Sequence, residues 1–145
     1  MNFKSFFAVL VASIFAFSAQ SQITIDNTIT ATELVENFLI GDGVEVDNIT
    51  FNGAPGDEVN VQIGLYNGPS NFIDFDEGLV MASADVVTIA GEFGGPLTNP
   101  VTDDPDLVAI SGFNINDAAI LEFDFLSTSD SIRFNYVFAC VYAHI

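Results

Sequence analysis

The sequence predicts a mainly β fold, a β-sandwich of antiparallel strands with one short N-terminal amphipathic helix. Three observations predict it. Segments whose apolar residues recur at every second position run along the chain, the period of half-buried strands. A single segment carries helical spacing instead. Half of the 145 residues are hydrophobic, with 15 Phe and no Trp, which is too apolar for an acidic disordered tail.

Met1 to Gln22 opens with Lys4, continues as an apolar run from Phe6 to Phe17 and ends in small and polar residues, the layout of a secretory signal peptide. Cleavage after Ser21 would put Ala19 and Ser21 at the small-residue positions. The apolar run is shorter than the roughly 20 residues that span a bilayer, so no transmembrane segment is expected once residues 1–21 are removed. Residues 22–145 then form one domain, exported from the cell.

Gln22 to Ile29 alternates at Ile23 and Ile25 and reads as a short first strand. Thr30 and Glu33 stand three apart as a capping box, and Leu34, Val35, Phe38 and Leu39 share one face, so Thr30 to Ile40 is predicted helical, with Gly41 as its stop. Val44 to Phe51 is a strand whose inward set changes face between Val46 and Ile49, as at a bulge, and Gly53, Pro55 and Gly56 end it. Val59, Val61, Ile63 and Leu65 alternate with polar or small neighbours up to Asn67, Gly68 and Pro69, the cleanest half-buried strand in the chain. Phe72 to Phe75, Leu79 to Ala82 and Val86 to Ala90 are shorter strand candidates. Gly91 to Pro105 is rich in Gly, Pro and Asp, has no period and reads as a long surface loop. The last pair is a hairpin of Ala118 to Phe125 and Ser131 to Phe138 with its turn at Ser127 to Asp130. Each of its strands carries an aromatic row that a facing sheet must cover.

The charge excludes whole classes of partner. Asp and Glu number 20 against 2 Lys and Arg, a formal net charge of −18. Phosphate backbones and anionic lipid surfaces are bound through clustered Lys and Arg, so neither nucleic acid nor such a membrane is an expected partner. With Lys4 in the leader, Arg133 is the sole base of the exported part. It alternates outward from Ile132 and Phe134, which would set it opposite Glu122 or Asp124.

The stretches LVENFLIGDGVEVDNITFNG (Leu34 to Gly53), QIGLYNGPSNFIDFDEGLVMASADV (Gln62 to Val86), DPDL (Asp104 to Leu107) and INDAAILEFDFLSTSDSIRFNYVFA (Ile115 to Ala139) together resemble the choice-of-anchor L domain. This is a family of secreted and cell-surface bacterial proteins, frequent in Bacteroidetes, whose members carry different C-terminal anchors. The resemblance implies a structural or adhesive module and offers no catalytic residues to carry over. Family members continue after Phe138 and Ala139 with Ser-Glu-Glu-Tyr and further strands, where this sequence reads Cys140 to Ile145. The expectation is therefore a domain truncated at its C-terminus, with exposed apolar rows on the last hairpin, and a non-functional remnant is one reading of it.

Nucleophilic catalysis by serine or cysteine needs a base, and the only histidine is His144 in the divergent tail. Cys140 and His144 supply two zinc ligands where three or four are required. Paired carboxylates serve glycosidases, which makes an extracellular glycan-acting hydrolase the alternative to a non-catalytic module. The densest acids are Asp74, Asp76 and Glu77, and Asp103, Asp104 and Asp106. The same six are the weak calcium candidates, since hard oxygen ligands suit that ion, but neither group has the EF-hand spacing, and a solvated acidic loop is the expected reading. No other cofactor is expected. Partners, if any, would be cell-surface proteins or glycans.

Overall fold

The computed structural model describes residues 23–41, 43–69, 73–90, 101–128 and 130–138. The leader, residues 91–100 of the long loop, Cys140 and His144 lie outside the described residues. Two antiparallel three-stranded sheets form the frame. One has the order β1 (Thr24–Asp26), β4 (Ile63–Asn67), β5 (Glu77–Met81), and the other β3 (Ala54–Pro55), β2 (Val44–Phe51), β6 (Leu121–Ser127). Helix α1 (Ala31–Leu34) closes one end, and Ala31, Leu34, Phe51 and Ile63 make the centre of the core. Ile49 and Leu121 join that core from one sheet, Leu65, Leu79 and Met81 from the other, so both sheets and the helix bury a single interior.

The predicted first strand is reduced to β1, because Asp26 accepts from the amide (2.9 Å) and hydroxyl (2.6 Å) of Thr28 and turns the chain. The capping box is present: Thr30 Oγ1 accepts from Glu33 N at 3.2 Å, and Glu33 Oε2 accepts from Thr30 N at 3.1 Å. Past Leu34 the predicted helix widens into a π-turn over Val35–Leu39, closed by Ile40 N–H donating to Val35 O at 3.1 Å. Asn37 explains the widening. Its side-chain amide donates to Glu33 O at 2.8 Å, the carbonyl an α-helix would reserve for the backbone N–H of Asn37 itself. Gly41 does not end the helix; Ile40 is already extended, and the left-handed glycine is Gly43.

The bulge in β2 lies where the alternation changes face: its register with β6 shifts between Asp47 and Thr50, around Asn48 in the left-handed region. Asn52 and Gly53 both take positive φ and join β2 to β3, the two-residue hairpin that Asn-Gly favours.

Four further expectations are corrected. The strand expected from Val59 begins only at Ile63: Asn60 Oδ1 accepts from Gln62 N at 2.9 Å and folds a turn, leaving Val59 58% exposed and burying Gln62. Val86–Ala90 is a 3-10 turn, because the Asp85 carboxylate and carbonyl capture the amides of Val87 and Thr88. Ile73 to Phe75, the described part of another candidate, holds no strand. The end of the long loop starts helix α2 (Pro105–Ser111): Asp104 caps it, Pro105 occupies its first turn and Gly112 ends it at φ 72°.

The final hairpin does not form. β6 pairs with β2, and Ser131 to Phe138 joins no ladder, with Tyr136 and Phe138 84% and 87% exposed. Thr128 donates its amide (3.4 Å) and hydroxyl (3.2 Å) to Gly43 O, which ties the chain after β6 to the start of β2. The pairing expected for Arg133 is lost with it. Glu122 stands opposite Thr50, and Asp124 accepts from Asn48 Nδ2 at 2.6 Å.

One buried polar side chain joins the two sheets. Gln62, 3% exposed, donates from Nε2 to the carbonyls of Ala82, Asp117 and Ala118, each at 3.2 Å. Its Oε1 accepts from Asn52 Nδ2 at 2.8 Å, and Asn52 Oδ1 in turn accepts from Ile120 N at 2.8 Å. The chain leaving β5, the chain entering β6 and the β2–β3 turn thus meet on one amide.

Candidate functional site

An apolar recess lies beside β5. The π-turn brings Phe38 and Leu39 against this strand, β4 contributes Tyr66, and the turn before β5 contributes Ile73 and Phe75. Across from them runs the segment Arg133 to Val137. These residues and β5 enclose a cavity of about 500 Å³, within the range of small-ligand and peptide side-chain pockets. It continues into an outer depression lined by Asp74, Phe75 and the segment Phe134 to Val137. Glu77 is the carboxylate lining the inner cavity, and Asp74 the one lining its outer continuation. The lining is mostly apolar, with Glu77 and Arg133 as the charged residues of the inner cavity.

Tyr66 is buried in this wall, and its hydroxyl has no hydrogen-bond partner among the described residues. It sits over Gly68, where an added Cβ would stand 2.5 Å from it. A glycine is required there by the ring, not by the backbone.

A second, shallower depression of about 340 Å³ lies at the β2 bulge, between Glu45, Val46 and Asp47 on one strand and Asp124, Phe125 and Leu126 on the other. Asp47 stands directly opposite Asp124, a like-charge pairing that costs stability. Asn48 offsets it by donating its backbone N–H to Asp47 (2.8 Å) and its side-chain amide to Asp124.

The six acids singled out by the sequence fall into two places. Asp74, Asp76 and Glu77 lead into β5, and Asp74 and Glu77 reach the mouth of the recess. Asp104 spends its carboxylate on capping α2, accepting from the amides of Asp106 (3.1 Å) and Leu107 (2.9 Å), with exposed Asp103 and Asp106 on either side. Among the described residues, no three His, Cys, Asp or Glu side chains converge as a metal ion would need.

A family model described as the choice-of-anchor L domain matches residues 22–142. The chain belongs to the choice-of-anchor L family. That match takes in both sheets, the connecting amide of Gln62 and every residue named around the recess. Family membership points to a module of secreted or cell-surface proteins, in a family not known for enzymes. No match was found among curated proteins or among solved structures. No helix of the described residues is long and apolar enough to cross a membrane.

Periodicity sends two of the apolar residues around the choice-of-anchor L recess inward, Phe38 and Leu39, which share the helical face with Leu34. Phe134 and Tyr136 belong to the last aromatic row, expected to lie exposed, and both are exposed in the structure. The local signal was Asn37, a poor helix-interior residue at the point where the helix opens.

Proposed function

We propose that this chain is a non-catalytic binding module of a secreted or cell-surface bacterial protein, and that it holds its partner at the recess beside β5. The observation that carries the reading is that recess: an open, aromatic-lined cavity beside a core already centred on Ala31, Leu34, Phe51 and Ile63. Exposed apolar surface of this kind marks interaction sites. The glycan-hydrolase alternative needs two carboxyl groups facing each other across a cleft, about 5 to 9.5 Å apart. Among the described residues the inner cavity presents one carboxylate, Glu77, which favours binding over hydrolysis.

The test is made on the full chain expressed in an exporting bacterium. Cell fractions are probed for the chain and intact cells are treated with protease. The reading expects a shortened product outside the cytoplasm and no release of reducing ends from cell-wall or matrix polysaccharide. Recovery from the cytoplasm with Met1 to Ser21 retained, or release of sugar that stops on Glu77→Gln, would sink it.

A further inference from the structure

The recess borders a strand edge, and the combination narrows the partner. We infer that it accepts an extended peptide segment of another protein, added as a strand along the outer edge of β5, with apolar side chains entering the cavity and Lys or Arg side chains meeting the rim. The inference rests on the binding role proposed above and names the class of partner.

β5 is the outer strand of its sheet. It pairs with β4 through five consecutive residue pairs without a register break, and among the described residues nothing pairs with its other side. A straight strand edge offers a row of N–H and C=O groups to an incoming strand. Natural edges are blunted by charged side chains, Pro or a bulge, and β5, reading Glu-Gly-Leu-Val-Met, has only Glu77, at its first position. Recognition by strand addition takes affinity from backbone bonds and specificity from pockets for alternate side chains. The cavity beside this edge, walled by Phe38, Leu79 and Phe134, is such a pocket.

Charge selects among occupants. The rim carries Asp74 and Glu77 against Arg133, on a chain of net charge −18. A basic peptide is drawn in by that field, and an ammonium or guanidinium group can also rest on the exposed ring of Tyr136. A second copy of the chain brings the same negative charge and is repelled. The chain's own Arg133 to Val137 lies across the cavity from β5 and outside its ladder.

The test uses the full chain and fluorescein-labelled six-residue peptides: one alternating Lys with Val and Phe, its Glu counterpart, and the Lys peptide N-methylated at alternate amides. Anisotropy is expected to show saturable binding of the Lys peptide, at least about tenfold weaker binding of the Glu peptide and weakening between roughly 50 and 500 mM salt. N-methylation should abolish binding, Asp74→Lys and Glu77→Lys should each weaken it about threefold or more, and the amides of Glu77 to Met81 should exchange more slowly with peptide bound. Both acids are exposed, and because Asp74 stands at φ 61°, Asp74→Asn, which tolerates that conformation, and Glu77→Gln, which keeps an acceptor for Asn67, are measured beside the Lys variants and should weaken binding in the same direction. Equal binding of the Lys and Glu peptides, or undiminished binding after N-methylation, would overturn the inference. So would protection of those amides in the free chain, whether by Arg133 to Val137 or by a second copy seen in sedimentation. A chain that reaches the cell exterior yet ignores the peptides refutes this inference alone; one retained in the cytoplasm refutes the earlier reading.

Discussion

Replacing Gln62 separates hydrogen bonding from packing as the tie between the two sheets. Gln62→Met keeps nearly the same volume in a site only 3% exposed, so the loss is that of the amide and not of a filled space. The amide serves three carbonyls through Nε2 and Asn52 through Oε1. Its two N–H groups are shared among the three carbonyls, so three full bonds is a fair count. At a net of about 1 kcal/mol each the substitution costs about 3 kcal/mol, a large part of the roughly 5 to 15 kcal/mol that holds a domain together. In thermal terms that is a fall in Tm of about 10 °C. With no Trp in the chain, urea melts followed by far-ultraviolet circular dichroism are the suitable assay. Asn52→Gly keeps the left-handed turn while removing the partner, and the double variant should show a coupling of about 1 kcal/mol. A Gln62→Met chain within about 0.5 kcal/mol of the parent would refute the view that this amide joins the sheets.

Thr30→Ala removes the half of the capping box made by the Thr30 hydroxyl, leaving the backbone N–H of residue 30 to donate to Glu33, and should cost about 1 kcal/mol in the same urea melts. Gly56→Ala places a Cβ 2.8 Å from the Ile49 carbonyl and 2.6 Å from Thr32 Oγ1, under the start of α1; a loss of about 2 kcal/mol or more is expected, visible as a lowered melting temperature. The hydroxyl of Thr28 and then its amide hold the Asp26 carboxyl below its ordinary value, so this stabilisation is full at neutral pH and fades as pH falls through the depressed folded value. Thr28→Val should therefore flatten the acid limb of a stability-versus-pH curve, and an unchanged limb would count against it. Millimolar calcium should leave the melting temperature where it is, since Asp104 is occupied in capping α2 and no three acids converge among the described residues. A rise that chelator reverses would reinstate a calcium site.

Features set by neighbouring residues were legible, and those set by competition for a backbone group were not. The capping box needs only Thr30 and Glu33 three apart, and the β2 bulge shows directly in the change of inward face between Val46 and Ile49. The two-sheet architecture follows from the alternation itself. In contrast, Gln62 occupies an outward position in the alternation of Val59 to Leu65, and only the Asn60 turn, which delays the strand to Ile63, carries it inside. The site failed to show for the same reason. Asn37 takes the Glu33 carbonyl and opens the helix into the recess. Helix α2 was readable: Asp104, Pro105 and Gly112 are a start and a stop in order, masked by the Gly- and Pro-rich run before them.

The division of labour between amides and acids bears on what the surface can meet. The sheets are joined by neutral groups, Gln62 and Asn52, and the like-charge pair Asp47 and Asp124 is relieved by a neutral neighbour, Asn48, instead of by a cation. At long range, 20 carboxylates against 2 bases produce one sign of field over the molecule. Such a field turns away other copies and anionic polymers before contact, so an exposed strand edge, normally an aggregation hazard, can stay open beside an apolar recess. If β5 accepts the basic strand inferred above, the acidity and the open edge are one device, charge keeping acidic strands away and the recess receiving the basic one.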